Sequence, residues 1–121
     1  KLRNGIAKFY DASSGLWENM WGEHMHHGYY ELGNCPSTLA EHRLAQVEMI
    51  EQSLAYAGVE KGSAKSPKTG VDIGCGIGGS SRHIAREFGT AMTGITLSPK
   101  QQNRAGQLSE AAGLKDKCQF Q

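Results

Sequence analysis

Asp72 and the glycines that follow it are the residues best suited to hold a cofactor. In Val71-Asp72-Ile73-Gly74-Cys75-Gly76-Ile77-Gly78-Gly79-Ser80-Ser81, three glycines, Gly74, Gly76 and Gly79, fit G-x-G-x-x-G, the dinucleotide fingerprint. Gly74, Gly76 and Gly78, with Asp72 before them, equally fit the tighter G-x-G-x-G turn of nucleoside-methionine binders. Glycine is required there because the backbone turns sharply and approaches the ligand with no Cβ in the way. A helix opening after the loop turns its free N–H groups toward the same ligand.

Three features separate the two readings. A dinucleotide fold places an acid about 20 residues beyond the loop, on the ribose hydroxyls. The corresponding stretch, Gly94-Ile95-Thr96-Leu97-Ser98-Pro99, has none. Asp72 lies inside a strand, where a carboxylate is costly unless it is used. Its expected work is to accept hydrogen bonds from loop N–H groups and from a cationic amino group of the ligand. Third, a long aromatic lead-in precedes the first strand and can cap a pocket. Together these favour S-adenosylmethionine. A dinucleotide bearing a 2′-phosphate, met by Ser98 and Lys100, is the rival, and implies an NADP-dependent reductase.

The second chemical group is Glu23-His24-Met25-His26-His27. It is not H-E-x-x-H, and no distant Cys/His pair completes a zinc set, so no metal is expected. His26 or His27 can serve as a general base, because imidazole titrates near neutral pH. Equally, either can be a lid residue bonded to backbone. Trp17, Trp21, Tyr29 and Tyr30 beside them can line an aromatic acceptor pocket or pack as an ordinary cap. Cys35, Cys75 and Cys118 are scattered, with no C-x-x-C, which argues for reduced thiols and an intracellular setting. Cys75 reads as the small side chain that a tight loop needs.

The elements that position these groups follow from local signals. Short helical pieces are expected near 2–12 and 14–21, then a loop. Thr38 with Glu41 forms a capping box ahead of a helix. That helix carries Ala40, Leu44, Val47, Ile50, Leu54 and Ala57 as an apolar core stripe and closes at Gly58. The stretch 60–68 is polar and reads as a linker. From residue 70 the pattern is strand 70–73, helix 79–88, strand 91–97, helix from Ser98-Pro99 to near Gly113, and strand 118–121. Gln101, as the third helical residue, can either close a capping box to Ser98 or contact a ribose. Strand–helix alternation gives a parallel α/β sheet of Rossmann type with a helical N-terminal cap. The expected organisation is a cap or lid over 1–58, a linker over 59–69, and the first part of a cofactor-binding domain over 70–121.

At 121 residues the chain is at most one domain, expected to be the N-terminal part of a longer protein and inactive alone. Charges nearly cancel at a formal net +1, so no nucleic-acid partner is implied. No apolar run is long enough for a transmembrane helix, and no secretory signal is visible. A small aromatic acceptor is the expected partner, and a homodimer is possible. A cofactor-binding chain without turnover is the non-catalytic alternative.

Three blocks, FYDASSGLWENMWGEHMHHGYY, VDIGCGIGGSSRHIA and GITLSPKQ, resemble the γ-tocopherol C-methyltransferase family of plants and algae and its alkaloid N-methyltransferase relatives. The likeness covers 5–30 and 38–121. Gly70, His83 and the segment 32–38 depart from the family pattern. The resemblance implies a class I S-adenosylmethionine fold and methyl transfer to a hydrophobic aromatic acceptor, tocopherol-type carbon or alkaloid nitrogen. It implies cofactor contacts from Asp72, Ile73, Gly74, Cys75, Gly76, Ile77, Gly78 and Gly79, from Thr96, Leu97 and Gln101, and from Tyr10 closing over the methionine end. It also implies a plastid, with cytosol or vacuole as alternatives.

Overall fold

The computed structural model describes residues 2–121. The elements are α1 (Leu2–Trp21), α2 (Leu39–Tyr56), β1 (Thr69–Ile73), α3 (Gly79–Phe88), β2 (Ala91–Ile95), α4 (Pro99–Ala111) and β3 (Cys118–Phe120). The three strands are parallel in the order β1-β2-β3. Asp72 lies opposite Gly94 and Ile73 opposite Ile95, so the strand ends that carry the glycine loop and the Thr96 turn stand side by side.

The α/β half forms as its local signals dictate. Ser98 caps α4 by accepting from the Gln101 N–H, with Pro99 in the first turn. Gly89 ends α3 in the left-handed region at φ 71°. The sheet's small core is Ala85, Met92 and Cys118, joined by Ile84, Leu114 and Phe120. Gly70, which departs from an apolar strand pattern, has a packing reason: a Cβ there would lie 2.6 Å from Met92 Sδ.

The helical half differs from the sequence expectation in two ways. First, α1 is one helix of 20 residues rather than two pieces. Ser13 and Ser14, the apparent breakers, turn their hydroxyls back onto the carbonyls of Phe9 and Tyr10 within the helix. It docks on α4 through polar side chains, while Tyr10, Trp17 and Trp21, at helical spacing, line a cleft. Asp11 accepts from Ser98 Oγ and from the Lys100 N–H, and Glu18 accepts from Arg104 Nη2 at 2.6 Å. Leu2 and Leu16 point outward, 78% and 60% exposed.

Second, the stripe on α2 is not a continuous core. Ile50 is buried, but Leu44 is 70% exposed and faces an open cleft with Trp21 and Val47. The helix is held instead by polar contacts. His83 Nε2–H donates to Glu51 at 2.5 Å, and Lys61 bridges to the same carboxylate. The capping box is as expected: Glu41 N–H donates to Thr38 Oγ1 at 3.2 Å and Thr38 N–H to Glu41 Oε2 at 2.9 Å. The segment from Val59 to Lys68 is pinned, Ser66 donating to the Phe88 carbonyl and Thr90 to that of Pro67.

Candidate functional site

The loop after β1 is folded by the strand beside it. The N–H groups of Gly74 and Cys75 both donate to the Ile95 carbonyl, at 2.8 and 3.0 Å. That forked contact pulls the chain over at once, and Gly74, Gly76 and Gly78 take φ of 80°, 55° and 79°. A Cβ built on Gly74 would meet nothing within 4 Å. The backbone there faces open space, which is the form a ligand cradle takes.

Asp72 is not bonded to the loop amides, of which Gly74 and Cys75 donate to the Ile95 carbonyl and Gly78 to that of Cys75. Its Oδ2 accepts from Ser81 Oγ at 2.7 Å. The carboxylate is thus braced by the first turn of α3, and among the described residues its other oxygen has no hydrogen bond. A half-buried acceptor in this position suits a hydroxyl or ammonium donor.

A cleft of about 590 Å³ opens over the loop. Tyr10, Asp72, Gly74, Cys75, Gly76, Ile77, Gly79, Thr96, Leu97 and Gln101 line it. Of the residues expected there, Ile73 and Gly78 do not. Ile73 is 84% exposed on the outer strand, and Gly78 lies under Phe120 and Arg82, whose atoms would stand 2.6 and 3.1 Å from a Cβ. Gln101 does not close a capping box with its side chain. Its Oε1 accepts from Thr96 Oγ1 at 2.8 Å, and its Nε2 donates to Ser14 at 3.0 Å. The buried amide therefore ties the end of β2 to α1, beneath Tyr10.

Sequence reasoning missed Ile6, Glu23, His24, Met25, His26 and Ser80 as walls of this cleft. Arg82 explains how the lead-in arrives. Its guanidinium is fully buried; Nη1 donates to the Ile77 carbonyl at 2.7 Å and Nη2 to Glu23 at 2.8 Å. The loop and the lead-in are thereby held together, and a Cβ on Gly79 would strike the Glu23 carbonyl at 2.2 Å.

A second cleft, of about 490 Å³, adjoins the first through Tyr10, Met25 and His26. Trp17, Trp21 and Tyr30 line it, together with Phe9, His27, His42 and Gln46. Tyr29 does not; it faces a different surface beside Glu31 and Asn34. Tyr30 and His42 are bonded at 3.0 Å.

The histidines differ sharply. His26 Nδ1–H donates to the His27 carbonyl at 2.9 Å, because a carbonyl only accepts. In the neutral ring the lone pair is then on Nε2, which is buried and without a partner among the described residues. His27 is exposed on the second cleft alone. Burial, and then the neighbouring His26, push the His24 pKa down to about 4, so it stays neutral. Burial and the nearby Asp72 charge push the Cys75 thiol up to about 11, which makes it a packing group rather than a nucleophile. No group of three or more His, Cys, Asp or Glu that could hold a metal occurs among the described residues.

A family model described as mycolic acid cyclopropane synthetase matches residues 1–121. The chain is 54% identical over 120 residues to the Oryza sativa subsp. japonica protein named "Probable tocopherol O-methyltransferase, chloroplastic", covering 99% of this chain and 33% of that one. It is 38% identical over 118 residues to ajmaline N-methyltransferase of Rauvolfia serpentina, covering 98% and 40%. The chain thus spans about a third of the length of the curated relatives it matches. Geranyl diphosphate C-methyltransferase from Streptomyces coelicolor A3(2), solved with S-adenosyl-L-homocysteine, superposes with a TM-score of 0.73 over 98% of this chain and 46% of that one. At 23% identity that likeness speaks to the fold alone.

Proposed function

The chain belongs to the mycolic acid cyclopropane synthetase family, and from that premise we propose that it supplies the cofactor cleft and acceptor lid of an S-adenosylmethionine-dependent methyltransferase acting on a hydrophobic aromatic acceptor of the tocopherol type. The observation that carries this reading is the pair of adjoining clefts, one over a glycine cradle and one lined by indole and phenol rings, sharing Tyr10, Met25 and His26. Two reactants seated in them meet at that shared wall, and proximity of this kind is the main contribution a protein makes to methyl transfer. The chloroplastic naming of the rice relative supports a plastid setting.

The residues present fit the cofactor. Gly74 and Gly76 give the backbone room, Asp72 offers a carboxylate oxygen to a donor, and Thr96, Leu97 and Gln101 wall the far side. Tyr10 and Met25 close the cleft toward the lead-in. When bound, the cofactor supplies an electrophilic methyl on a sulfonium; methyl transfer to a ring carbon leaves a thioether and releases one proton. His26 Nε2, with its lone pair set by the Nδ1–H bond, takes the hydroxyl proton of a phenolic acceptor and makes the ring more nucleophilic. His27, facing only the acceptor cleft, is the alternative base. Residues 1–58 act as cap and lid, and 70–121 as the start of the cofactor-binding domain. An amine acceptor, as in the Rauvolfia relative, is the second reading, because the same His26 lone pair can take an ammonium proton.

The test is transfer of labelled methyl from S-adenosylmethionine to γ-tocopherol by the full-length protein. Incorporation into the ring is expected. No incorporation into tocopherols or amines, with NADPH consumed instead, would show the reading to be wrong.

A further inference from the structure

We propose that Gln46 is a positioning residue for methyl transfer: its side-chain amide holds the His24–His26 backbone and so fixes the direction of the His26 imidazole. The inference rests on the methyl-transfer reading above.

Gln46 lies on α2 and is 4% exposed. A buried amide is costly unless its polar atoms are used. Here its Nε2 donates to the carbonyls of His24, at 2.9 Å, and His26, at 2.8 Å. Both N–H bonds are spent on the main chain of the lead-in, while the buried Oε1 has no partner among the described residues. The reverse amide orientation would set Oε1 against two carbonyl oxygens, so the network itself fixes which end is nitrogen. One amide bridging the two carbonyls ties 24–26 to α2. It also keeps the His24 and His26 rings together, with centroids 5.3 Å apart.

The far end of the same segment is fixed next door. Tyr29 N–H donates to the Ala45 carbonyl at 2.8 Å, and Gly28 abuts Ala45 so closely that a Cβ would lie 2.6 Å from it. His26 thus sits between two anchors on consecutive residues of α2. Its remaining freedom is removed by the Nδ1–H bond to the His27 carbonyl. The result is an imidazole on the wall common to both clefts, with its lone pair set by backbone geometry. Gln46 reaches the imidazole only through the main chain, so its role toward the base is to place it.

The test is a double-substitution cycle in the full-length protein, read as methyl transfer at saturating substrates. Gln46→Met keeps the volume and removes both donors. It is expected to lower kcat roughly 10- to 100-fold, the scale at which small misplacements are felt. Thermal stability is expected to fall, because two carbonyls lose their donor, while S-adenosylhomocysteine binding is expected to change less than kcat. Because Gln46 acts through His26, adding Gln46→Met to His26→Ala should cause no further loss. Gln46→Glu is the second variant. A neutral carboxyl can donate to one carbonyl and a carboxylate to neither, so its turnover relative to wild type should fall as pH rises. Losses that simply add, or wild-type turnover in Gln46→Met, overturn the positioning role and leave methyl transfer standing. Wild-type turnover in His26→Ala overturns the base assignment, and the role of Gln46 with it.

Discussion

Arg82 and Glu23, 59 residues apart in the chain, form the bond that joins the cofactor loop to the acceptor lid. The guanidinium is 1% exposed, and one face caps the Ile77 carbonyl while the other holds Glu23 Oε2 at 2.8 Å. Arg82→Met should cost about 3 kcal/mol, because it strips a buried network of its centre. Glu23→Gln should cost about 1 kcal/mol, since that carboxylate is more than half exposed. Urea denaturation of the two variants gives the ranking, and equal losses would contradict it.

The two glycines at the cleft should fail for different reasons. Gly74→Ala meets no atom but must hold φ near 80°, at about 1–2 kcal/mol. Its methyl also projects into the space assigned to the ligand. Gly79→Ala must push the Glu23 carbonyl away. S-adenosylhomocysteine titration should show Gly74→Ala weakened in binding more than in stability, and Gly79→Ala impaired in both. Full affinity in Gly74→Ala would remove that glycine from the cradle.

Cysteine reactivity should follow burial. Cys35 is exposed, while the Cys75 thiol is held near 11 and Cys118 is raised by burial. Ellman's reagent at pH 8 should therefore titrate one thiol quickly and the other two only on unfolding. Fast modification of Cys75 would show that it is a reactive group after all.

His24 should make the fold acid-sensitive. Its folded pKa is near 4, against about 6.5 for an unfolded histidine. Between those values the unfolded chain binds a proton that the folded chain refuses, so stability falls as pH drops from about 6.5 toward 4. Above that window the contribution is constant. The ring is partly solvated, so the loss should be about 1–2 kcal/mol rather than the full shift. Denaturation curves at pH 7.5 and 4.5 should show a smaller gap in His24→Gln than in wild type.

Ligand protection separates cofactor classes. S-adenosylhomocysteine at 100 times its Kd stabilises by about 2.7 kcal/mol, a rise of a few degrees in Tm for a protein of this kind. NADP should give none. A shift with NADP alone would favour the reductase reading that the glycine spacing first left open.

The α/β half was legible because its signals are local. Ser98-Pro99 and Gly89 act within a few residues of where they stand, as does the capping box at Thr38 in the other half. The helical half misled for a physical reason. α1 docks by Asp11, Ser14 and Glu18, partners that no pattern within α1 itself singles out. The stripe on α2 pointed to a core that the chain fills only at Ile50. Within the site, His26, Trp17 and Trp21 stood out by type, whereas Phe9, His42 and Gln46 carried no pattern that set them apart.

The sequence alone determined the loop: glycines at 74, 76 and 78 behind Asp72 are demanded by backbone angles that other residues resist, and that demand is written in consecutive positions. Only the tertiary structure decided which side chains meet. Gln101 chose Thr96 and Ser14 over its own cap, Arg82 chose Glu23, and Gln46 chose two carbonyls of the lead-in. Apart from Thr96, those partners lie 20 to 87 residues away from their donors. Their pairing depends on where whole helices come to rest, a quantity that no short stretch of chain encodes.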